Sequence, residues 1–317
     1  MVEVFVSGIA DEAELIKKFH LKRVDGGQLP SYVAGSHIGV ETPGGVTRQY
    51  SLCGDPRDRD VFTIAVKKEL ESRGGSLSMH EQLNLGDRLT ISEPKCLFKL
   101  SEKAGRHILI AAGIGITPLL SMAYECNIGS FAYQLHYYSR GKDQAAFLSE
   151  LSAADFVENV SLKFGFSQEE VRNSIESILQ DALPTDHIYT CGPGPFMDLV
   201  ISVANEYLPS DQVHKEFFQS NSLVTSCANK SFQAKLGQSG IVVTVDPGES
   251  LISALAKVGV EIPTSCGEGI CGTCLIPVMS GDIDHRDSFL SPEEVKEGGV
   301  MCACVSRALS EVLVLDL

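Results

Sequence analysis

Short apolar runs alternate with turn residues over the first hundred residues of the chain. The runs cover residues 19–24, 36–40, 48–52, 61–67 and 88–91, and glycine, proline and aspartate residues separate them. Short strands at such spacing are typical of an antiparallel barrel or sandwich. The pattern predicts an antiparallel β-barrel over residues 1–102.

The pattern changes at about residue 105. Apolar runs typical of strands at residues 107–112, 131–138, 160–166 and 187–190 alternate with helical patterns at residues 119–126, 145–151, 169–179 and 196–207. Strands that alternate with helices usually form a parallel sheet with helices on both faces. We therefore expect an α/β parallel-sheet domain over residues 103–219.

The last hundred residues begin with a polar stretch. Small and polar residues predominate over positions 219–231, which predicts a linker at residues 220–231. A hairpin signal at residues 237–240 follows, and Ser250 is placed to cap a helix that runs through Val258. These features predict a small β-rich domain with one main helix over residues 232–317.

The composition indicates the broad class of protein and disfavours two kinds of partner. The chain has 317 residues, of which 44% are hydrophobic and 21% are charged, and its net charge is -15. That balance is typical of a soluble globular protein and disfavours nucleic-acid binding, which requires basic patches. No long apolar stretch indicates a membrane span, and Asp11, Glu12 and Glu14 are unlike a signal peptide. We expect a cytoplasmic protein that does not bind membranes.

Three cysteines lie close together near the end of the chain, and a fourth follows. Cys266, Cys271 and Cys274 are separated by five and three positions, and Cys304 follows thirty positions later. This is the plant-type ferredoxin spacing of 2Fe-2S ligands. A structural zinc site is the alternative, but zinc sites usually use two C-x-x-C pairs and only one is present here. The spacing predicts a 2Fe-2S cluster and one-electron transfer.

The fourth ligand has two candidates. Cys302 and Cys304 are two positions apart on a predicted strand, so their side chains would share a face. We choose Cys304 and keep Cys302 as the alternative. The remaining cysteines are interpreted as buried or incidental thiols, namely Cys53, Cys96, Cys126 and Cys227.

Two segments of the first domain contain residues that suit a phosphate group. The predicted strand Arg48-Gln-Tyr50-Ser51-Leu52 is followed about twenty residues later by Arg73-Gly74-Gly75-Ser76, which opens a helical pattern. An arginine and helix-start amides bind phosphate, and an aromatic ring beside a hydroxyl suits a flavin. Taken alone, residues 48–52 are better explained as an amphipathic strand with an exposed arginine, and the glycine segment is what favours a phosphate site.

Two loops of the second domain have the residues needed to approach a dinucleotide. Gly113-Ile-Gly115-Ile-Thr117-Pro118 joins a predicted buried strand to a helix, and Cys191-Gly192-Pro193 follows a later strand. Glycines let phosphates approach the backbone, and both loops would lie at the carboxyl edge of the sheet, where open α/β folds bind ligands. A purely structural turn is the alternative for the first loop.

Taken in order, these motifs resemble the phthalate dioxygenase reductase family, which includes the vanillate demethylase reductases. The resemblance covers essentially the whole chain. It implies an FMN-binding barrel, an NAD-binding domain and a β-grasp 2Fe-2S ferredoxin domain. It also implies a reductase that passes electrons from NADH through FMN and the cluster to a separate terminal Rieske non-haem iron oxygenase.

The resemblance also implies roles for individual residues. Arg48 would contact the FMN phosphate, and Gly74, Gly75 and Ser76 would enclose it. Tyr50 and Ser51 would lie against the isoalloxazine ring, and Leu52 would complete this flavin-binding strand. Cys191 would lie near the nicotinamide, and Phe218 would stack beside the flavin, although a core phenylalanine explains Phe218 equally well. The nicotinamide loops would use Gly113, Gly115, Thr117, Pro118, Gly192 and Pro193.

Some alternatives stay open at this point. Residues 138–142 contain Arg140 and no acidic residue to hold an adenosine ribose, which favours NADPH, whereas the family habit favours NADH. We expect NADH and a monomer. A free-standing flavin or ferric reductase, or an electron carrier with an inactive nicotinamide site, are the alternative functions.

Overall fold

The computed structural model describes residues 1–70, 74–218, 229–264 and 266–317. The chain divides into two compact units, Met1–Glu216 and Phe217–Leu317. Arg73, Cys227 and most of the predicted linker lie outside the described residues. The predicted boundaries of the barrel, the α/β domain, the linker and the ferredoxin domain stay predictions.

A seven-stranded antiparallel sheet forms the first part of unit one. Its strands are β1 (Val2–Ala13), β2 (Ile16–Arg23), β3 (Ser36–Glu41), β4 (Thr47–Ser51), β5 (Phe62–Lys67), β6 (Arg88–Ile91) and β7 (Lys95–Cys96), and helix α1 (Gly75–Glu81) precedes β6. The order is β4-β3-β6-β1-β2-β5, with β7 paired to β3. An antiparallel bridge between Leu52 and Ile64 joins the two ends of this order. The predicted barrel is confirmed.

Strand β1 is the longest in the sheet and was not predicted. Its outward positions include Glu3, Ser7 and Asp11, which interrupt the apolar run, and its register shifts at Val6/Gly8 and Asp11/Ala13. These irregularities bend the strand and break the simple alternation by which a half-buried strand is recognised. Even so, β1 pairs with both β2 and β6 at the centre of the sheet.

A five-stranded parallel sheet forms the second part of unit one. The strands are β8 (Arg106–Ala112), β9 (Tyr133–Ser139), β10 (Val160–Phe164), β11 (Asp186–Cys191) and β12 (Val213–Glu216). Their order is β10-β9-β8-β11-β12. The helices are α2 (Ile116–Gly129), α3 (Leu148–Leu151), α4 (Gln168–Gln180) and α5 (Gly194–Tyr207). The α/β prediction is confirmed, since β8 and β11 are buried almost throughout, as interior strands of such sheets are.

Two elements of this sheet differ from the predictions. The helix expected at residues 145–151 is only the single turn α3, because Phe147 has a left-handed φ of 62° and a helix cannot run through it. Strand β12 was not predicted, because it has only four residues and a single apolar one, Val213, which is half-buried. It extends the sheet beside β11 and ends at Glu216.

Unit two contains a mixed five-stranded sheet. Its strands are β13 (Phe232–Leu236), β14 (Val242–Val245), β15 (Leu275–Ser280), β17 (Val300–Cys302) and β19 (Val312–Leu315), and β16 (Ile283–Asp284) pairs with β18 (Arg307–Ala308). Helix α6 (Leu251–Ala256) contributes Leu251, Ala254 and Leu255 to a buried core, and α7 (Pro292–Glu297) precedes β17. Ser250 caps α6 by accepting a hydrogen bond from the Ser253 amide, as predicted, although the helix ends before Val258.

The end of β17 corrects one sequence interpretation. The strand stops at Cys302, and Cys304 lies in the turn that follows. The two cysteines therefore do not alternate along one strand. No helix in the described ranges combines the length and apolar character needed to cross a membrane.

Candidate functional site

Arg48 and the glycine segment meet on the barrel, although about 25 residues separate them in sequence. A Cβ atom built on Gly75 would lie 2.8 Å from Arg48 Cγ and 3.1 Å from Arg48 Nε, so the arginine stem passes directly over this glycine. Gly74 has a φ of 97° and precedes the first turn of α1. Ser76 Oγ accepts a hydrogen bond from the Glu69 amide at 3.1 Å. A guanidinium beside helix-start amides fits a phosphate group.

Tyr50 lies on β4, two residues beyond Arg48. Its hydroxyl is buried and has no hydrogen-bond partner among the residues described. Burial raises the pKa of this phenol, and the nearby Arg48 lowers it only in part. A buried hydroxyl without a partner costs free energy unless a bound group supplies one. The strand therefore fits a polar, planar ligand such as an isoalloxazine. Leu52, which follows the end of β4, is fully buried in the barrel core.

Ser51 ends β4 and contacts a residue that sequence reasoning missed. Its hydroxyl donates to Glu216 Oε2 at 3.3 Å, and His37 Nδ1 lies 3.9 Å from Glu216 Oε1. His37 and Ser51 are register partners on β3 and β4, whereas Glu216 is the last residue of β12. The barrel and the parallel sheet thus share this polar contact within unit one.

Glu216 and Cys191 are register partners at the ends of β12 and β11. Burial raises the pKa of the Glu216 carboxyl to about 8, and the hydrogen bond from Ser51 opposes this only partly. Burial also raises the pKa of the Cys191 thiol well above its usual value, and the neighbouring Glu216 carboxylate adds to this. A neutral thiol is a poor nucleophile, which agrees with a positioning role for Cys191.

The two glycine loops of the parallel sheet touch each other. A Cβ atom on Gly115 would lie 2.2 Å from the Cys191 carbonyl oxygen and 2.6 Å from the Gly192 nitrogen, so only glycine permits this approach.

The other predicted residues of these loops lie close by. Thr117 donates within its own turn to the Ile114 carbonyl at 2.9 Å, and Pro118 is buried in the first turn of α2. Gly113 is half-buried with a φ of 54°, and Pro193 is the exposed N-cap of α5. The loops meet at the carboxyl edge, where open α/β sheets bind ligands.

Aromatic and basic side chains lie at the same edge of the sheet, near the ends of β9 and β10. Lys163 Nζ is 5.8 Å from the centre of the Tyr138 ring and 5.7 Å from that of Phe166. Tyr138 also contacts Phe196, whose ring centre is 5.4 Å away in the first turn of α5. Arg140 is exposed just after β9. Rings and cations of this kind suit a nucleotide base and its phosphates.

The four predicted cluster ligands converge in unit two. Cys274 Sγ and Cys304 Sγ are 3.1 Å apart, and Cys266 interacts through its thiol with both Cys271 and Cys304. Cys266, Cys271 and Cys274 are buried, and Cys304 is half-buried. Cys302 is fully buried and its thiol hydrogen-bonds to Cys274, whereas the Cys304 thiol hydrogen-bonds to two of the loop cysteines, Cys266 and Cys274. The thiol positions favour Cys304 as the fourth ligand.

The cysteine loop also stabilises thiolates. Hydrogen bonds from the Cys271 and Cys304 thiols lower the pKa of Cys266, and the backbone amides of Glu268 and Ile270 lower it further. Across the described segments, no three His, Cys, Asp or Glu side chains surround one point as ligands of a single metal ion. A 2Fe-2S cluster spreads four thiolates over two irons and so requires no such point.

Phe218, the predicted stacking residue, lies in a different unit from Ser51 and Cys191. It is half-buried and belongs to the second unit. Its stacking role stays a prediction. Cys53 and Cys126 are buried, as expected, and Cys96 is half-buried.

Comparisons with known proteins agree with this arrangement. Residues 234–309 match the family described as a 2Fe-2S iron-sulfur cluster binding domain. The chain is 39% identical to a vanillate O-demethylase oxidoreductase from a Pseudomonas species, over 100% of both chains. It is 37% identical to the carnitine monooxygenase reductase subunit of Escherichia coli, over 100% of this chain and 98% of that one.

A solved structure shows the same architecture. Phthalate dioxygenase reductase, described as a modular structure for electron transfer from pyridine nucleotides to a 2Fe-2S centre, superposes with a TM-score of 0.79. The two proteins are 34% identical, and the match covers 100% of this chain and 98% of the other. The chain therefore belongs to the family of vanillate O-demethylase oxidoreductases and phthalate dioxygenase reductases, the reductase components of multicomponent oxygenases.

Proposed function

We propose that the protein accepts a hydride from NADH onto FMN and delivers the electrons singly, through its 2Fe-2S cluster, to a separate Rieske-type non-haem iron oxygenase. The observation that carries this proposal is the contact between the barrel and the parallel sheet in unit one. Ser51, from the predicted flavin strand, meets Glu216 beside Cys191, from the predicted nicotinamide loop. A flavin and a nicotinamide held by these elements would therefore be neighbours.

The protein's own residues would bind the flavin and the nicotinamide, orient them and exclude water from the site. Arg48 and the amides at the start of α1 would hold the flavin phosphate, and the buried Tyr50 hydroxyl would find a partner in the bound flavin. Gly115 lets the first nicotinamide loop lie against Cys191, and the buried Cys191 thiol would position the ring. FMN supplies the step between two-electron and one-electron chemistry when it is bound.

Glu216 adds a proton-holding group to this site. Because burial raises its carboxyl pKa to about 8, the group is largely protonated at neutral pH. A neutral carboxyl can donate or accept a hydrogen bond beside Ser51, and it avoids a buried negative charge next to the predicted flavin site. We assign Glu216 a proton-holding role at this position.

Anaerobic mixing of the purified protein with NADH tests the proposal. Flavin absorbance should bleach first and cluster absorbance second, and cytochrome c should be reduced by the wild type. Cys304→Ser should keep NADH-dependent flavin bleaching and lose cytochrome c reduction. Cytochrome c reduction that survives Cys304→Ser would instead indicate a free-standing flavin reductase, and a flavin that NADH cannot bleach would indicate a carrier with an inactive nicotinamide site.

NADH is proposed as the donor on the strength of the resemblance. The exposed Arg140, and Lys163 against the Tyr138 ring, would also suit a 2'-phosphate. Turnover with NADH and NADPH under equal conditions tests the proposal, and a strong preference for NADPH would contradict it. A matched Arg140→Ala variant should leave the KM for NADH nearly unchanged.

The partner class, the monomeric state and the cytoplasmic location are parts of the same proposal. Twelve acidic and five basic residues over positions 235–317 support docking to a basic redox partner, because complementary charge speeds encounter. Gel filtration tests the monomer. Reduction of a purified Rieske oxygenase by the protein and NADH tests the partner class.

A further inference from the structure

The segment that follows β16 packs directly against the cysteine loop. The Ser288 amide donates to the Gly269 carbonyl at 2.9 Å, and a Cβ atom on Gly269 would lie 3.0 Å from both Cα and Cβ of Asp287. A Cβ atom on Gly272 would lie 2.2 Å from Cζ of Phe289. Both glycines lie between predicted cluster ligands, so this segment forms one wall of the cluster site.

Asp287 is the charged residue of that wall. Its side chain is only 1% exposed, and Oδ2 accepts hydrogen bonds from the amides of Phe289 at 3.2 Å and Leu290 at 2.9 Å. Oδ1 accepts from the Ser306 hydroxyl at 3.1 Å. These three donors are neutral, so they fix the position of the carboxylate without neutralising its charge.

Ser306 connects Asp287 to the other arm of the cluster site. It lies two residues beyond Cys304, and its amide donates to the Cys302 carbonyl at 3.0 Å. Asp287 therefore contacts the loop that carries three ligands through Gly269, and the arm that carries the fourth through Ser306.

No lysine or arginine within the described ranges forms an ion pair with the Asp287 carboxylate. The guanidinium of the adjacent Arg286 binds Asp284 at 2.6 Å and the Asn229 side chain at 2.8 Å. The nearest basic group is His285, whose Nδ1 lies 3.6 Å from Asp287 Oδ1. Water screens a buried negative charge only weakly, so the electrostatic interaction of this carboxylate with nearby groups is strong.

We infer that the Asp287 carboxylate sets the reduction potential of the cluster held by Cys266, Cys271, Cys274 and Cys304. A reduced cluster carries one more negative charge than an oxidised one, so a buried carboxylate beside it disfavours reduction and lowers the potential. This inference rests on the cluster part of the proposed function and is independent of the nucleotide and the partner. Asp287 acts through the wall of the site and is a positioning residue rather than a ligand.

A purely structural role makes a different prediction. If Asp287 only caps the turn at Phe289 and Leu290, its loss would lower stability or iron content and leave the potential of the remaining clusters unchanged. Asn is the matched replacement, because its carbonyl oxygen can accept from both amides and its amide group can donate to the Ser306 hydroxyl. Asp287→Asn therefore removes the charge and keeps the contacts.

An anaerobic redox titration of the full chain, followed by cluster absorbance and the EPR signal of the reduced protein, tests the inference. At one fixed solution potential, Asp287→Asn should raise the ratio of reduced to oxidised cluster at least tenfold. A tenfold change corresponds to a 59 mV rise in the reduction potential of a one-electron couple. The control Asp316→Asn removes an exposed carboxylate after β19 and should leave the ratio within twofold of the wild type. An unchanged ratio in Asp287→Asn with two irons bound would overturn the inference.

A second variant keeps the inference testable if Asp287→Asn loses its cluster. His285→Arg places a permanent cation beside the carboxylate and keeps every hydrogen bond to Asp287. It should also raise the ratio, and an unchanged ratio would overturn the inference. A wild-type protein without iron would instead contradict the proposed function, so the two failures are distinguishable.

Discussion

Glu216 shows how strongly burial alters a single carboxyl group. Its folded-state pKa is raised to about 8, so the folded chain keeps a proton that the unfolded chain releases near its usual 4.5. Stability contributed by this group is therefore present at low pH and is lost as the pH rises from about 4.5 to about 8. The slope is about 1.4 kcal/mol per pH unit inside that window.

Glu216→Gln should remove this pH dependence. Relative to the wild type, the variant should gain stability progressively between pH 5 and pH 8, because glutamine has no proton to lose. Urea unfolding of unit one, measured at several pH values in the full chain, checks the result. Glu206→Gln, an exposed position on α5, is the control, and parallel curves for wild type and Glu216→Gln would contradict the raised pKa.

Gly115 is required where two loops meet. Gly115→Ala would place a methyl group 2.2 Å from the Cys191 carbonyl, which forces the backbone apart and should cost about 1–3 kcal/mol. Gly113→Ala is the matched control, since it meets open space and pays only for its φ of 54°, about 1–2 kcal/mol. Thermal unfolding and NADH-dependent flavin bleaching compare the two. A Gly115→Ala protein with wild-type hydride transfer would contradict the close contact.

At the scale of single elements, helix α6 depends on its cap. Ser250→Ala should lower the stability of unit two by about 1 kcal/mol, because the first-turn amide of Ser253 loses its acceptor. Ser250→Asp keeps an acceptor at the same position and should remain close to the wild type. Denaturant unfolding followed by cluster absorbance measures both, and equal loss in the two variants would show that the cap hydrogen bond is unimportant.

The turn after β17 decides the fourth cluster ligand. Cys304→Ser should reduce bound iron well below two per chain, because its thiol reaches two loop cysteines. Cys302→Ser should retain the iron, since Cys302 is a buried strand residue whose thiol hydrogen-bonds to one loop cysteine, Cys274, rather than to two. Iron analysis and the visible spectrum of each variant give the answer. Loss of iron in Cys302→Ser alone would reverse the assignment.

For the whole molecule, the two units divide the chemistry. Unit one contains the predicted flavin and nicotinamide loops, and unit two contains the predicted cluster ligands. Removal of iron by a chelator should therefore destabilise unit two, because ligand thiolates are crowded without their metal. NADH-dependent flavin bleaching in unit one should continue. Calorimetry of the holo and iron-depleted full chain should show one transition that shifts and one that does not.

Much of the architecture was readable along the chain, because it depends on neighbours in sequence. The continuous apolar run of β8, the alternation in the barrel and the Ser250 cap were predicted and confirmed. The cysteine spacing predicted the cluster domain that the comparison confirms. Strand β1 was missed because register shifts and polar outward positions disrupt its period.

The sequence by itself determined the order of modules and the residue types available for flavin, nucleotide and iron, because periodicity and motif spacing are local properties. Only the tertiary structure decided which of these residues meet. Glu216 gave no sequence signal beyond one acid before two phenylalanines, yet strand pairing sets it beside Cys191 and against Ser51. Asp287 likewise lies at least 13 residues from every cysteine ligand in sequence, and its packing against Gly269 places a buried charge at the cluster wall. Such contacts arise from sheet register and loop packing, which join positions far apart in the chain and leave no local pattern.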